Sequence, residues 1–266
     1  MKNKEKNISA KEEMFLQVNN KTPFAVKEAF ALLRTNVVYT NTVTEGAPVF
    51  AITSAGEGSG KSTIMSNLVG EFARIEKKVI LIDADMRYPV QHRFFGYSKT
   101  SIGLSEVLSG IVRDKNEAVI HTENKYLDII PAGHIPPNPS ELFHNTRFGT
   151  LICELKKEYD YIFIDFPPIG VVSDPISAVN YVDAYLFVIR ANVSNRIGVM
   201  ESLNELEQVG GHVAGIIMND VDFKDGMISA DKYRGGRYGK YGKYSRYGKY
   251  SKYSKYYTDL SNSSKE

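Results

Sequence analysis

Six short apolar runs, separated by longer helix-like stretches, set the main constraint on this chain. They are "PVFAIT" at 48–53, "KVILIDAD" at 78–85, "LDIIPA" at 127–132, "YIFIDF" at 161–166, "AYLFVIR" at 184–190 and "VAGIIMN" at 213–219. Runs that stay apolar at consecutive positions, instead of alternating, suit strands buried on both faces. The helical stretches supply the crossovers, so the pattern predicts an α/β fold with a mainly parallel sheet and helices on both faces. Ahead of the first strand, "FAVKEAFALLRTNVVY" at 24–39 spaces Phe30, Leu33 and Val37 onto one helical face. Residues 1–20 are polar and read as a flexible N-terminus.

Composition matters chiefly through its asymmetry. The formal charge of the 266-residue chain is +2, yet residues 231–266 hold ten Lys/Arg against three Asp/Glu, while the other 230 hold 23 against 28. A mildly acidic body over 21–230 therefore continues into a strongly basic tail over 231–266. From Asp231 to Tyr257 there is no Val, Ile, Leu, Met or Phe. A segment of that kind cannot bury enough apolar surface to offset the entropy of ordering it, so the tail is expected to be disordered. The single cysteine, Cys153, lies in an apolar helical stretch and reads as a buried structural thiol. The N-terminus lacks the apolar core of a signal peptide, and no run of about 18 apolar residues offers a membrane span.

Chemistry enters with "AITSAGEGSGKSTIMSNLVGEFA" at 51–73, where Ala55, Gly60, Lys61 and Ser62 stand in the spacing A-x-x-x-x-G-K-S between a strand and a helix. Small residues let a backbone wrap a phosphate with its N–H groups pointing inward, and the helix that follows adds its positive N-terminal end. Gly56, Glu57, Gly58, Ser59, Gly60, Lys61, Ser62 and Thr63 are thus the candidate nucleotide-phosphate residues. Lys61 is placed to reach the β- and γ-phosphates, and Ser62 to ligate Mg²⁺. Asp83 and Asp85, with Arg87, leave the strand at 78–85, and Asp165, followed by Pro167 and Pro168, leaves the strand at 161–166. Ligands of open α/β sheets bind at such carboxyl ends, so a P-loop NTPase-like fold with a metal and phosphoryl site is expected.

These motifs, with "GLSEVLSG" at 103–110, "PAGHIPPNPSELF" at 131–143 and a terminal tyrosine cluster, resemble the cytoplasmic bacterial tyrosine kinases of the Gram-positive capsule and exopolysaccharide type. The resemblance implies an ATP- and Mg²⁺-dependent protein-tyrosine kinase. It implies Lys61 on the phosphates, Asp83 as base for the tyrosine hydroxyl, and Ser62, Asp85 and Asp165 placing the metal. It also implies Asn219 near the adenine. A glutamate followed by arginines three and six residues later forms ring contacts in that family; here Glu28 and Arg34 match, and Ala31 stands in the middle position. The family implies a homo-oligomer, a transmembrane activator of the polysaccharide chain-length-regulator type, and a cytoplasmic location at the inner face of the membrane.

On that reading the tail is the acceptor. Its nine tyrosines are Tyr233, Tyr238, Tyr241, Tyr244, Tyr247, Tyr250, Tyr253, Tyr256 and Tyr257. A flexible tether of this length reaches about 35 Å, and tethering gives an effective concentration on the order of millimolar. Each phosphate adds about −1.5 to −2 charge, so around four or five would offset the tail and turn attraction between tails and bodies into repulsion. Two other readings compete. A non-kinase P-loop ATPase of the partition or septum-positioning type shares the sheet and aspartates, but carries a lysine where this chain has Gly56. A nucleic-acid-binding tail would use the same Lys/Arg and Tyr to neutralise phosphates and stack on bases; it is not favoured as the main function.

Overall fold

The computed structural model describes residues 18–19, 22–40, 45–98 and 102–221. The tail and its tyrosines therefore lie outside the described residues, as does most of the 1–20 segment. Helix α1 (Phe24–Thr40) leads into β1 (Val49–Ser54), α2 (Lys61–Arg74) and β2 (Val79–Asp83). Two short helices follow, α3 (Gln91–Phe95) and α4 (Leu104–Ser109), then β3 (Ile120–His121) and β4 (Leu127–Ile130). Next come α5 (Pro139–Phe143), α6 (Thr146–Leu155), β5 (Tyr161–Asp165) and α7 (Asp174–Ser177). The described unit closes with β6 (Ala184–Arg190), α8 (Arg196–Gln208) and β7 (Val213–Asn219).

All seven strands join one sheet in the order β3-β4-β2-β5-β1-β6-β7. Every pairing is parallel except that of β3 with β4. The six apolar runs are the six parallel strands. The seventh, β3, is a two-residue antiparallel edge that its sequence does not announce.

Strand alternation divides the core. Val49, Ala51, Ile80, Ile82, Ile162 and Ile164 face one layer, with Leu108, Phe148, Ile152 and Leu206 from the helices. Phe50, Ile52, Leu81, Phe163 and Leu186 face the other, against Met65, Leu68 and Phe72 of α2 and Val37 of α1. Phe163 sits at the middle of this second layer, 5.9 Å from the Phe50 ring and 5.1 Å from that of Phe72.

Helix α1 packs on α2 with Val37 buried and Phe30 and Leu33 partly buried, as its spacing predicts. Arg34 reaches the buried Glu71 of α2 at 3.5 Å, and Arg74 meets the same carboxylate at 2.7 Å. Its guanidinium therefore has a partner within the chain, while Glu28 is exposed. Cys153 departs from expectation: it occupies the outer face of α6, whose inner face is taken by Phe148, Leu151, Ile152 and Leu155, and its thiol is exposed. No helix among the described residues is long and apolar enough to cross a membrane.

Truncating Phe163 to alanine should open a cavity between the central strands and α2, lowering unfolding free energy by about 3–5 kcal/mol. Urea denaturation of the variant beside wild type measures this.

A candidate nucleotide and phosphoryl-transfer site

The site is assembled where β1 ends. Between β1 and α2 the backbone turns through Gly58 (φ 68°) and Gly60 (φ 91°), left-handed conformations that favour glycine. Gly60 also caps α2 without a side-chain hydrogen bond, leaving the helix's first N–H groups for a ligand. The Nδ2 of Asn219, at the end of β7, donates to the Ser59 carbonyl at 2.9 Å. A Cβ on Gly60 would come within 2.1 Å of that same amide nitrogen. Arg190, at the end of β6, donates to the Gly58 carbonyl at 3.3 Å. A loop bent this way, ahead of a helix and with Lys61 7% exposed, suits a polyphosphate.

On the opposite flank, β2 and β5 run in register so that Asp83 lies beside Asp165. Alternation from Leu81 and Phe163 turns both carboxylates toward the α2 side of the sheet, and both are 0% exposed. Gln91, the first residue of α3, folds back over them. Its backbone N–H donates to Asp83 at 3.3 Å, and its Nε2 to Asp165 at 2.7 Å and to the Ser62 carbonyl at 3.3 Å. The Ser62 hydroxyl hydrogen-bonds Asp165. One oxygen of each carboxylate, Asp83 Oδ1 and Asp165 Oδ1, is left without a hydrogen bond.

The charges respond accordingly. Burial pushes Asp83 well above the usual carboxylate range, with the Asp165 and Asp85 charges adding to the shift. Burial likewise raises Asp165 to about 6, against the lowering influence of the Lys61 charge and the Ser62 and Gln91 hydrogen bonds. Asp85 is raised less far, again by burial.

Asp83 and Asp85 face different spaces. Asp85 lines a cleft of about 350 Å³ together with Lys61, Ser62 and Arg87. Asp83 lines a separate void of about 10 Å³ behind it, with His92 and Tyr97. In this conformation the carboxylate that fronts the cleft is therefore that of Asp85.

Arg87 is held as a fork on Asp174, with Nε and Nη2 each donating at 3.0 Å, while Nη2 also donates to Ser140 at 3.2 Å. The Ser140 hydroxyl donates to the same carboxylate. Residues of β1 steady the turn after β5: the Thr53 hydroxyl donates to the Pro167 carbonyl at 2.8 Å and accepts from Ile169 N–H at 3.2 Å. Gly170 lies so close to the phosphate loop that a Cβ there would come within 2.3 Å of the Ala55 carbonyl oxygen.

Sequence reasoning missed Gln91, Asp174, Ser140 and Arg190. Each becomes visible only once the fold brings it to the strand ends.

A nucleotide-binding loop on a parallel sheet, with buried carboxylates at the neighbouring strand ends, defines a P-loop NTPase. Residues 47–217 match the family model described as an AAA domain. Tyrosine-protein kinase CpsD of Streptococcus agalactiae serotype III is 36% identical over 196 residues, covering 74% of this chain and 83% of that one. Among solved structures, the kinase domain of Escherichia coli tyrosine kinase ETK is 33% identical with a TM-score of 0.71, covering 79% of this chain and 82% of that chain. The chimerical protein CapA2B2 is 30% identical with a TM-score of 0.70, covering 77% and 88%. The chain belongs to the bacterial tyrosine-protein kinase family. The septum-positioning alternative fits less well: MinD of Aquifex aeolicus is 26% identical with a TM-score of 0.56, covering 66% of this chain and 70% of that one.

The raised Asp165 pKa carries a sign. A carboxyl that holds its proton more tightly when folded destabilises the folded protein once pH exceeds its unfolded value near 3.8, and fully so above about 6. Without nucleotide, Asp165→Asn should melt close to wild type below pH 4 and several degrees higher at pH 7, as read by thermal melting across that range.

Proposed function

We propose that the chain transfers the γ-phosphoryl group of ATP to tyrosine hydroxyls, with its own tyrosines between Tyr233 and Tyr257 as principal acceptors. The observation that carries this reading is the cleft bringing Lys61, Ser62 and Asp85 together beside the Asp83–Asp165 pair, in a chain whose sequence also holds nine tyrosines within 25 residues. The phosphate-loop N–H groups and the open N-terminus of α2 would hold the phosphates, and Lys61 would meet the charge developing on the transferred group. Asn219 and Arg190 lie on the flank assigned to the adenine.

The donors around the cleft are oxygens, which suits Mg²⁺. No cluster of three or more His, Cys, Asp or Glu able to hold a metal occurs among the described residues. Mg²⁺ characteristically uses one or two carboxylates together with waters and substrate phosphates, and dedicated protein cages are unusual for it. Ser62, Asp85 and Asp165 would hold it, the last two partly through water. When bound, Mg²⁺ would offset the negative charge of the nucleotide's phosphates.

A tyrosine hydroxyl keeps its proton at neutral pH, so a positioned carboxylate must take it as the new P–O bond forms and the bond to ADP breaks. That role is assigned to the Asp83–Asp85 pair, with Asp85 fronting the cleft and Asp83 behind it. The tail of one copy is proposed to enter the site of another in an oligomer that uses Glu28 and Arg34. A transmembrane chain-length regulator is proposed to recruit and activate the assembly at the membrane, where it acts in capsule or exopolysaccharide production.

Intact mass spectrometry before and after incubation with Mg²⁺ and ATP tests the reading. Wild type should gain a ladder of phosphates mapping to 233–257, and Lys61→Met should gain none. A wild type that binds ATP but stays unmodified, even with the activator's cytoplasmic segment added, would overturn it.

A further inference from the structure

The cleft is one-sided. β2 and β5 stand on one flank of β1, and β6 and β7 on the other. Arg190 and Asn219 reach the phosphate loop from the β6–β7 flank. The cleft is walled by the β2–β5 flank, where Tyr88, Val90, Val171 and Val172 stand beside Asp85. Tyr88 is 74% exposed and Val171 57% exposed. Phosphates have no use for apolar walls of this kind, whereas a phenol ring does.

Glu57 lines the same cleft from the phosphate loop itself. Its side chain is exposed and makes no hydrogen bond or ion pair among the described residues. A carboxylate in a loop that receives a polyanion opposes that ligand, so its position favours a second, cationic group entering the cleft.

The chain's own acceptor segment carries such a group. Eight of the nine tail tyrosines are directly preceded by Lys or Arg, and six are directly followed by Gly or Ser. In an extended peptide, neighbouring side chains point to opposite sides. A tyrosine directed into the cleft therefore leaves the preceding base at the rim, and the small residue after it adds no bulk against the valines.

We propose that this flank is the acceptor subsite: Tyr88, Val171 and Val172 hold the ring of the incoming tyrosine, and Glu57 selects a basic residue immediately before it. The occupant is a Lys/Arg-Tyr-Gly/Ser segment from the tail of another copy of this chain. The proposal rests on the tyrosine-kinase reading and adds its sequence preference.

The test uses the full-length chain with Mg²⁺ and a non-hydrolysable ATP analogue. Fluorescence anisotropy follows binding of a labelled peptide containing Gly-Lys-Tyr-Ser, or its Gly-Glu-Tyr-Ser counterpart. Wild type should prefer the basic peptide by about three- to five-fold, the scale of a single exposed ion pair. Glu57→Lys should abolish or invert that preference. Val171→Asp should weaken the basic peptide's binding while its affinity for Mg²⁺-ADP stays within about two-fold of wild type. A preference unchanged in Glu57→Lys, or no binding of either peptide by wild type up to about 1 mM, overturns the subsite. Initial rates of peptide phosphorylation separate the two levels. Charge-dependent binding without any phosphotransfer, activator segment included, tells against the kinase reading, while phosphotransfer indifferent to both substitutions tells against the subsite alone.

Discussion

Two carboxylates buried side by side set the terms for this site. The register between β2 and β5 puts Asp83 next to Asp165 with neither exposed to water. Removing such groups from water costs several kcal/mol per ion unless each is paired and hydrogen-bonded. Gln91 and Ser62 supply part of what is needed, and one oxygen of each carboxylate stays without a partner. The remaining deficit suits a binding site better than a structural core. A cation with its bound waters would relieve it, and anything that binds the folded chain alone stabilises it. Ligand arrival and fold stability are thus coupled through the Asp165 oxygen of this pair.

The rest of the architecture serves to keep that pair rigid. β1 lies inside the sheet, with β5 on one side and β6 on the other, so its phosphate loop is steadied from both directions. Thr53 and the close approach of Gly170 fasten the β5 turn to β1, and the Arg87–Asp174 fork fastens the turn after β2 to α7. Sites built on strand ends and braced by neighbouring turns hold their geometry better than sites on free loops. The family's chemistry, positioning more than bond-making, depends on such bracing.

Much of this was legible in the chain itself. Continuous apolar runs marked six strands because parallel strands buried on both faces need no polar alternation, and the phosphate loop stood out because its glycines and lysine serve a single chemistry. β3 escaped notice because two residues carry no period. Gln91, Asp174 and Ser140 escaped because their roles depend on which turn folds against which strand, a matter of tertiary contact that local pattern does not encode. Cys153 was misjudged for a related reason: α6 is amphipathic, and an apolar neighbourhood in sequence did not say which face the thiol would take. Asp83 and Asp85 share one strand-end motif, but β2 ends at Asp83 and a single residue, Ala84, separates the two, so one closes inward and the other opens to the cleft.

The hydrogen bond from Asn219 to the Ser59 carbonyl joins residues 160 positions apart. It makes the last strand of the described unit a strut for the phosphate loop, fitted against the bare α-carbon of Gly60. A shortened chain made to dispense with the tail thus has a natural stopping point after Asn219. Cutting even one residue earlier would loosen the loop at the opposite end of the sequence, and a defect in nucleotide binding could then be mistaken for a contribution of the tail.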